Sequence, residues 1–462
     1  MFDILYDVVK QPKRNDNYLP VDIDESTRME HVHKVLHSMK RYQLDILLVY
    51  ADREHGANFA YLTGFEPRFE EAVCVLHSDG RAYLMLGNEN LKMNTYSAMK
   101  TTAIHVPYFS LPNQPMENSK SLLGAFYESG IADGKTIGIC GWKLFTCAQE
   151  KKEEIFDVPY FIVDSVKRIN KAGKTVSAGD LFLNPENGVR ICVNANEIAH
   201  YEFGAGLASG CVLKAMNAIE PGKTEMEIAS NLSAFGQPVS VTTICATGER
   251  FEGGVVFPRN KEIKLGDKFS LTYGLRGGLT SRAGYVVYEK QELPVAVRNY
   301  IDVIAKPYYK AAVTWLEHIG IGVTGGELYR LMEQLLPRET YHWSLNPGHY
   351  ISDEEWLSSP IYPDSVIKLR SGMLLQLDIL PSVNGYGGAN AEDGIAIADE
   401  ALREDIKTNY KKTWERIENR RKFMIQELGI RLKPEILPLS DLAGYLRPFL
   451  LNKDKAFKVR HN

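Results

Sequence analysis

The sequence has no long apolar run. No stretch approaches the roughly 18–20 residues that a membrane span requires, so no membrane partner is expected. It has no paired cysteines. The six cysteines, Cys74, Cys140, Cys147, Cys192, Cys211 and Cys245, are scattered, and none forms a C-x-x-C pair. That argues against a disulfide scaffold and against a thiolate zinc site. They read as reduced, mostly buried thiols of a cytoplasmic protein. It has little excess charge. Lys+Arg is 54 and Asp+Glu is 58, a formal net charge of −4, which gives no reason to expect nucleic acid as a partner. The opening residues, Met1-Phe2-Asp3-Ile4-Leu5-Tyr6-Asp7, lack the basic start and apolar stretch of a signal peptide. There is no internal repeat or low-complexity tract. What remains is 44% hydrophobic and 24% charged, the composition of an ordinary globular chain. At 462 residues it has room for two or three domains and a large core.

The pattern predicts an α/β (α+β) chain. Residues 1–20 are polar and read as an arm. A helical pattern begins near Thr27, with Met29, Val32, Val35, Leu36 and Met39 at three- and four-residue steps. Strand-like runs follow at 45–50, 72–77 and 81–86, the last two joined by a Ser78-Asp79-Gly80 turn. Alternation of strand and helix continues through 137–140 and 160–163. This gives an N-terminal domain at 1–170. A stretch rich in Lys, Asn and Gly at 167–188 marks the boundary, and a second domain spans 185–462. There Phe203, Leu207, Cys211, Ala215 and Ile219 give one apolar helix face, ended by Glu220-Pro221-Gly222. Thr224 and Glu227 form a capping box. Strands are expected at 239–246, 268–273, 284–288, 373–380 and 394–398, with a helix at 296–317. From about residue 401 a basic helical extension, roughly 403–428, presents a Lys/Arg face that reads as solvated.

Asp378 is the informative residue. The run Met373-Leu374-Leu375-Gln376-Leu377-Asp378-Ile379-Leu380 is apolar on both faces, as a central strand is. A carboxylate there is costly unless paired, hydrogen-bonded or metal-bound. Asp378 and Gln376 share a face. Glu392 and Asp393 precede the next apolar strand, and if the two strands pair, Asp378 and Glu392 meet. Two such carboxylates suit metal ligation or shared-proton catalysis. The alternative is a strand-end acid with a basic partner. His349, in Asn346-Pro347-Gly348-His349-Tyr350, precedes the acids Asp353, Glu354 and Glu355. It gains weight if it faces Asp378.

The order of these elements resembles the creatinase, prolidase, aminopeptidase P and methionine aminopeptidase superfamily, peptidase family M24, with its pita-bread fold. The resemblance runs through Asn196-Glu197-Ile198-Ala199, Ile219-Glu220-Pro221-Gly222-Lys223-Thr224-Glu225, Leu265-Gly266-Asp267, Gly348-His349, the strand ending in Asp378, and Ala391-Glu392-Asp393. In the first half, Asn58-Phe59-Ala60-Tyr61-Leu62-Thr63-Gly64-Phe65 is similar to the creatinase and aminopeptidase P N-terminal domain. The resemblance implies a creatinase-like α/β domain followed by a pita-bread catalytic domain. Family peptidases bind two metals through two Asp, one His and two Glu. Carried over, His349 falls on the His, Asp378 and Glu392 on the two Glu. The two Asp positions fall on or near Thr272 and Ala283, neither a carboxylate. Two further family histidines fall near Val255 and at Trp356.

The resemblance therefore implies catalytic residues His349, Asp378 and Glu392. As cofactor it implies none, or one divalent metal ion on those same three residues. It implies substrate contacts from Arg68, with Phe65 or Phe69 beside it, and from His55. Arg282, at or next to a lost Asp, would on entering the pocket replace metal charge with a fixed positive charge and pair with Asp378 or Glu392, which suits either an anionic substrate or a dead site. The expected partner is a small-molecule or short-peptide substrate, and a homodimer is implied. Three functions stay open: a creatinase-like hydrolase or lyase cleaving a C–N bond in an amino-acid-like or amidino substrate, an Xaa-Pro peptidase, and an inactive binding protein.

Overall fold

The structure is a computed structural model and describes residues 2–15, 18–117, 119–253 and 257–461. It divides into two units, Ile23–Ile191 and Met1–Asp22 with Cys192–Asn462. The first 22 residues therefore pack with the second unit, whereas the sequence reading begins the N-terminal domain at residue 1. The reason is a strand pair. Phe2–Val8 runs antiparallel to Lys455–His461, and the Tyr6 ring packs edge-on against Phe449 and Phe457. Ring contacts of this kind add to the area that strand buries.

The unit Ile23–Ile191 is built on one six-stranded sheet. Its order is Thr102–His105, Ala82–Leu86, Ala72–His77, Ile46–Ala51, Thr136–Cys140 and Lys174–Ser177. Every residue of Ile46–Ala51 and Ala72–His77 is buried, which explains the unbroken apolar runs. The helix Glu25–Arg41 starts where Asp24 accepts from the Thr27 N–H. Residues 160–163 open a helix, Tyr160–Ile169, whose Ile162, Val163, Val166 and Ile169 are buried.

The other described unit holds two four-stranded sheets. One has the order Asn390–Glu392, Gly278–Tyr285, Lys268–Leu275, Ile244–Thr247, and the other His349–Tyr350, Leu374–Gln376, Gly394–Ile397, Ile436–Pro438. The helix Ala195–Ala218 opens on a capping box between Asn194 and Glu197 and packs on the first sheet's central hairpin. A Cβ on Gly204 would lie 1.8 Å from the Arg276 carbonyl oxygen, so only glycine lets this helix and hairpin approach so closely. The Thr224–Glu227 capping box forms as its spacing predicts and starts Glu225–Ala229. The helix expected at 296–317 begins as a π turn, Ile301–Ala305, before Lys306–His318. Pro307 has no N–H for the normal ladder, and the turn widens ahead of it. No helix among the described residues is long and apolar enough to cross a membrane.

The basic extension departs from expectation. It is two helices, Glu400–Asn409 and Lys411–Gln426, and part of its basic face is buried. Arg416 Nε donates to Glu202 Oε1 at 2.9 Å. Arg420 Nη1 lies 2.6 Å from that same oxygen, and its Nε donates to Asp441 Oδ1 at 2.8 Å. Tyr18 Oη also donates to Asp441, at 3.1 Å. Glu202 is fully buried. One carboxylate thus ties the C-terminal helix to Ala195–Ala218, and a second ties in the N-terminal arm. Removing one partner of such a network strands a buried charge, a loss of about 3–5 kcal/mol. Glu202→Ala is expected to lose that much in denaturant unfolding. Glu404→Ala, whose partner Lys407 is exposed, is expected to change stability by under about 0.5 kcal/mol. Equal effects would contradict the network's role.

Candidate active site

The site forms where the chain crosses from one sheet to the other. Asn390–Glu392 pairs with Gly278–Tyr285, Ser281 opposite Glu392. Gly394–Ile397 pairs with Leu374–Gln376. Asp393 is the single residue between. It receives Arg282 Nη2 at 2.5 Å and Thr280 Oγ1 at 3.4 Å, together with Ser440 Oγ. The remaining Arg282 donors go to the carbonyls of Ser281, Glu392, Leu442 and Tyr445. Arg282 is therefore a crossover anchor, not a pocket residue. It does not pair with the Asp378 or Glu392 carboxylates. The cause is strand alternation: Thr272 registers opposite Ser281, and Ala283 opposite Ser270, so Arg282 points to the other face.

His349 is set by its neighbours. It registers opposite Gln376. Gly348 has φ +133°, and a Cβ there would lie 2.9 Å from the Gln376 carbonyl oxygen, so the turn entering this strand requires glycine. His349 Nδ1 lies 3.1 Å from the Tyr350 carbonyl oxygen. That oxygen can only accept, so Nδ1 carries the ring proton and Nε2 presents a lone pair in the neutral form. The ring stacks on Trp356, centroids 4.1 Å apart. Trp356, the position where the resemblance places a family histidine, lies flat against the imidazole. The other such position, near Val255, lies outside the described residues.

Four side chains converge. Single donor atoms of His349, Glu355, Asp378 and Glu392 all lie within 4.8 Å of one another. His349 Nε2 is 3.2 Å from Glu355 Oε1 and 3.9 Å from Asp378 Oδ2. Neither contact is a hydrogen bond: Nε2 and Asp378 Oδ1 are buried without a hydrogen-bond partner. Glu392 is held by Gln376 Nε2 at 2.8 Å and Asn390 Nδ2 at 3.3 Å. Among the described residues no Lys or Arg forms an ion pair with Glu355, Asp378 or Glu392. Among the described residues, the basic side chain that faces Asp378 is His349, at 3.9 Å. Unpartnered imidazole nitrogen and carboxylate oxygen are the donor types that a divalent cation takes, so these residues fit the metal that the fold family implies. The positions of the two family aspartates carry no such donors. Thr272 Oγ1 and Ser281 Oγ bond each other at 2.7 Å, and Ala283 has none.

The sequence does not single out Glu355 among the acids Asp353, Glu354 and Glu355 that follow His349.

Beside the cluster is a cavity of about 530 Å³, lined in part by Thr272, Ser281, Ala283, Tyr386 and Asn390. Asn390 joins it to Glu392. Of the residues expected from the first half to bind substrate, Phe65 is buried edge-on to Phe59, and Phe69 is exposed at φ +76°. Arg68 Nε pairs with Glu66 Oε2 at 3.2 Å. His55 stacks on Trp142 and lies 3.1 Å from Asp52 Oδ1.

Burial pushes Asp378 up to about 6, partly offset by His349 and reinforced by Glu355. Burial, with Asp378 and Glu355 nearby, also raises Glu392. Burial alone would lower His349, but Glu355, Asp378 and the Tyr350 carbonyl outweigh it, and the net direction is up. All three bind protons more tightly folded than unfolded. Their contribution to stability is complete below the unfolded carboxylate value and is lost as pH rises through the folded values. For chelator-treated protein, Asp378→Asn is expected to gain roughly 1 kcal/mol relative to wild type between pH 5 and pH 8. A difference that does not change with pH would contradict the buried, unpaired state of Asp378.

Residues 201–399 match the family described as Metallopeptidase family M24. No curated protein sequence matches the chain. Among solved structures it is similar to the prolidase of Pyrococcus horikoshii OT3, with TM-score 0.62 and 19% identity over 80% of this chain and 95% of that one. It is similar to an Xaa-Pro dipeptidase from Bacillus anthracis, with TM-score 0.60 and 17% identity over 81% and 96%. It is also similar to an Escherichia coli aminopeptidase P variant, with TM-score 0.58 and 15% identity over 85% and 100%. At these identities the structural likeness establishes the fold, which is the fold of these prolidase and aminopeptidase P structures, and within it residues 201–399 carry the match to the M24 family.

Proposed function

We propose that this chain is a hydrolase of amide bonds in short peptides, with an Xaa-Pro bond the first to test. The observation that carries the reading is the pair of buried, unpartnered donors, His349 Nε2 and Asp378 Oδ1, in one cluster beside a cavity. A fold has no structural use for such atoms, and each costs stability. The match to a metallopeptidase family supports a peptide amide over the guanidino group that a creatinase-like reading favours, as do the peptidase names of the similar structures.

The groups divide the work by position. The Tyr350 carbonyl fixes the His349 tautomer, so Nε2 stays free for a cation or a proton. Gln376 and Asn390 hold the Glu392 carboxylate in one orientation. Asp378, with one oxygen unpartnered, is placed to take a proton from an attacking water and return it to the leaving amine. A divalent cation held by His349, Asp378 and Glu392 would polarise the scissile carbonyl and acidify that water. The cavity wall at Thr272, Ser281 and Asn390 is uncharged, so it suits the neutral peptide unit rather than a guanidinium.

Purified protein is expected to release proline from Xaa-Pro dipeptides and to leave creatine intact. Asp378→Asn and His349→Ala are each expected to lower kcat/KM at least about 100-fold. Creatine turnover without peptide cleavage would overturn the reading, and so would peptide cleavage unchanged in both variants.

A further inference from the structure

The fold family's centre uses two aspartates that this chain lacks. We infer that Glu355 takes over as a ligand in their place, and that the centre holds one divalent cation per chain rather than two. The inference rests on the reading of this cluster as the working centre.

Three observations carry it. The first is span. Ligands around one cation stand about 2.0–2.6 Å from it, so donors on opposite sides are roughly 4–5 Å apart. The four donor atoms here lie within 4.8 Å of one another, which is the spread around a single ion. A two-ion centre needs metals about 3.5–4 Å apart and acids on both sides. The neighbouring strand positions Thr272, Ser281 and Ala283 supply no acid, and the two hydroxyls bond each other.

The second is the contact between Glu355 and His349. His349 Nε2 stands 3.2 Å from Glu355 Oε1 yet makes no hydrogen bond there. The two donor atoms approach each other without hydrogen-bond alignment, and a cation held by both groups accounts for that approach.

The third is how Glu355 gets there. It is part-buried, unlike a solvated acid. Trp356, next in the chain, stacks on His349 and carries Glu355 to the ring's Nε2 edge.

The test is Mn²⁺ binding to the chelator-treated full chain, by calorimetry and by low-temperature electron paramagnetic resonance. Wild type is expected to bind one Mn²⁺ per chain with the spectrum of an isolated ion. Glu355→Gln is expected to weaken binding at least tenfold while raising the thermal midpoint of the metal-free chain, because it removes one of three crowded carboxylates. A merely structural role for Glu355 would lower that midpoint and leave affinity unchanged. The Thr272→Asp, Ala283→Asp double variant is expected to move the stoichiometry toward two. Two ions in wild type, an exchange-coupled spectrum, or unchanged affinity in folded Glu355→Gln would overturn the inference. The wild-type spectrum needs no variant to fold. Peptide hydrolysis is read separately. One tightly bound Mn²⁺ without cleavage defeats the proposed function and leaves this inference standing, whereas cleavage with two ions does the reverse.

Discussion

Three carboxylates share one buried neighbourhood with a single imidazole, and the second unit is arranged around that imbalance. Burying an unpaired carboxylate costs several kcal/mol. Asp378, Glu392 and Glu355 together have His349 as their one cationic candidate. Elsewhere in the unit, Glu202 and Asp441 are paired with Arg416 and Arg420, and Asp393 with Arg282. The contrast gives the cluster its meaning. The same fold that pairs those acids with arginines gives these three one imidazole between them, so a cation or protons complete the cluster.

The scaffold explains how the cluster is held against its own repulsion. Glu392 and Gly394 lie in different sheets, and Asp393 between them is pinned through Arg282 to backbone carbonyls of the C-terminal segment. Gln376 reaches from the second sheet to the Glu392 carboxylate. His349 enters through a turn that only glycine fits. The C-terminal helices, far from the cluster in sequence, act on it by locking the Ala195–Ala218 helix and the segment around Asp441. Stability and site are thus linked through two buried arginine networks, not through contacts with substrate.

Much of this was legible in the sequence, and the failures have definite causes. An acid in an unbroken apolar strand drew attention to Asp378, and the family resemblance joined His349 and Glu392 to it. The same resemblance places the two family aspartates on or near Thr272 and Ala283, which are not carboxylates. Arg282 was misplaced because its neighbour's register was considered without the strand's alternation of faces. Glu355 was hidden, since nothing local says which of three consecutive acids turns inward; that is decided by where Trp356 stacks. The arginines of the C-terminal extension read as solvated because their partners, Glu202 and Asp441, lie over 200 and 20 residues away. The first strand looked like a loose arm because its partner is the last strand of the chain.

The most direct measurement is anomalous diffraction from crystals of the full chain grown with Mn²⁺. The account predicts a single anomalous peak per chain, within bonding distance of His349 Nε2 and of Glu355, Asp378 and Glu392. A second peak beside Thr272 and Ser281, or one peak with Glu355 turned away from it, would contradict it.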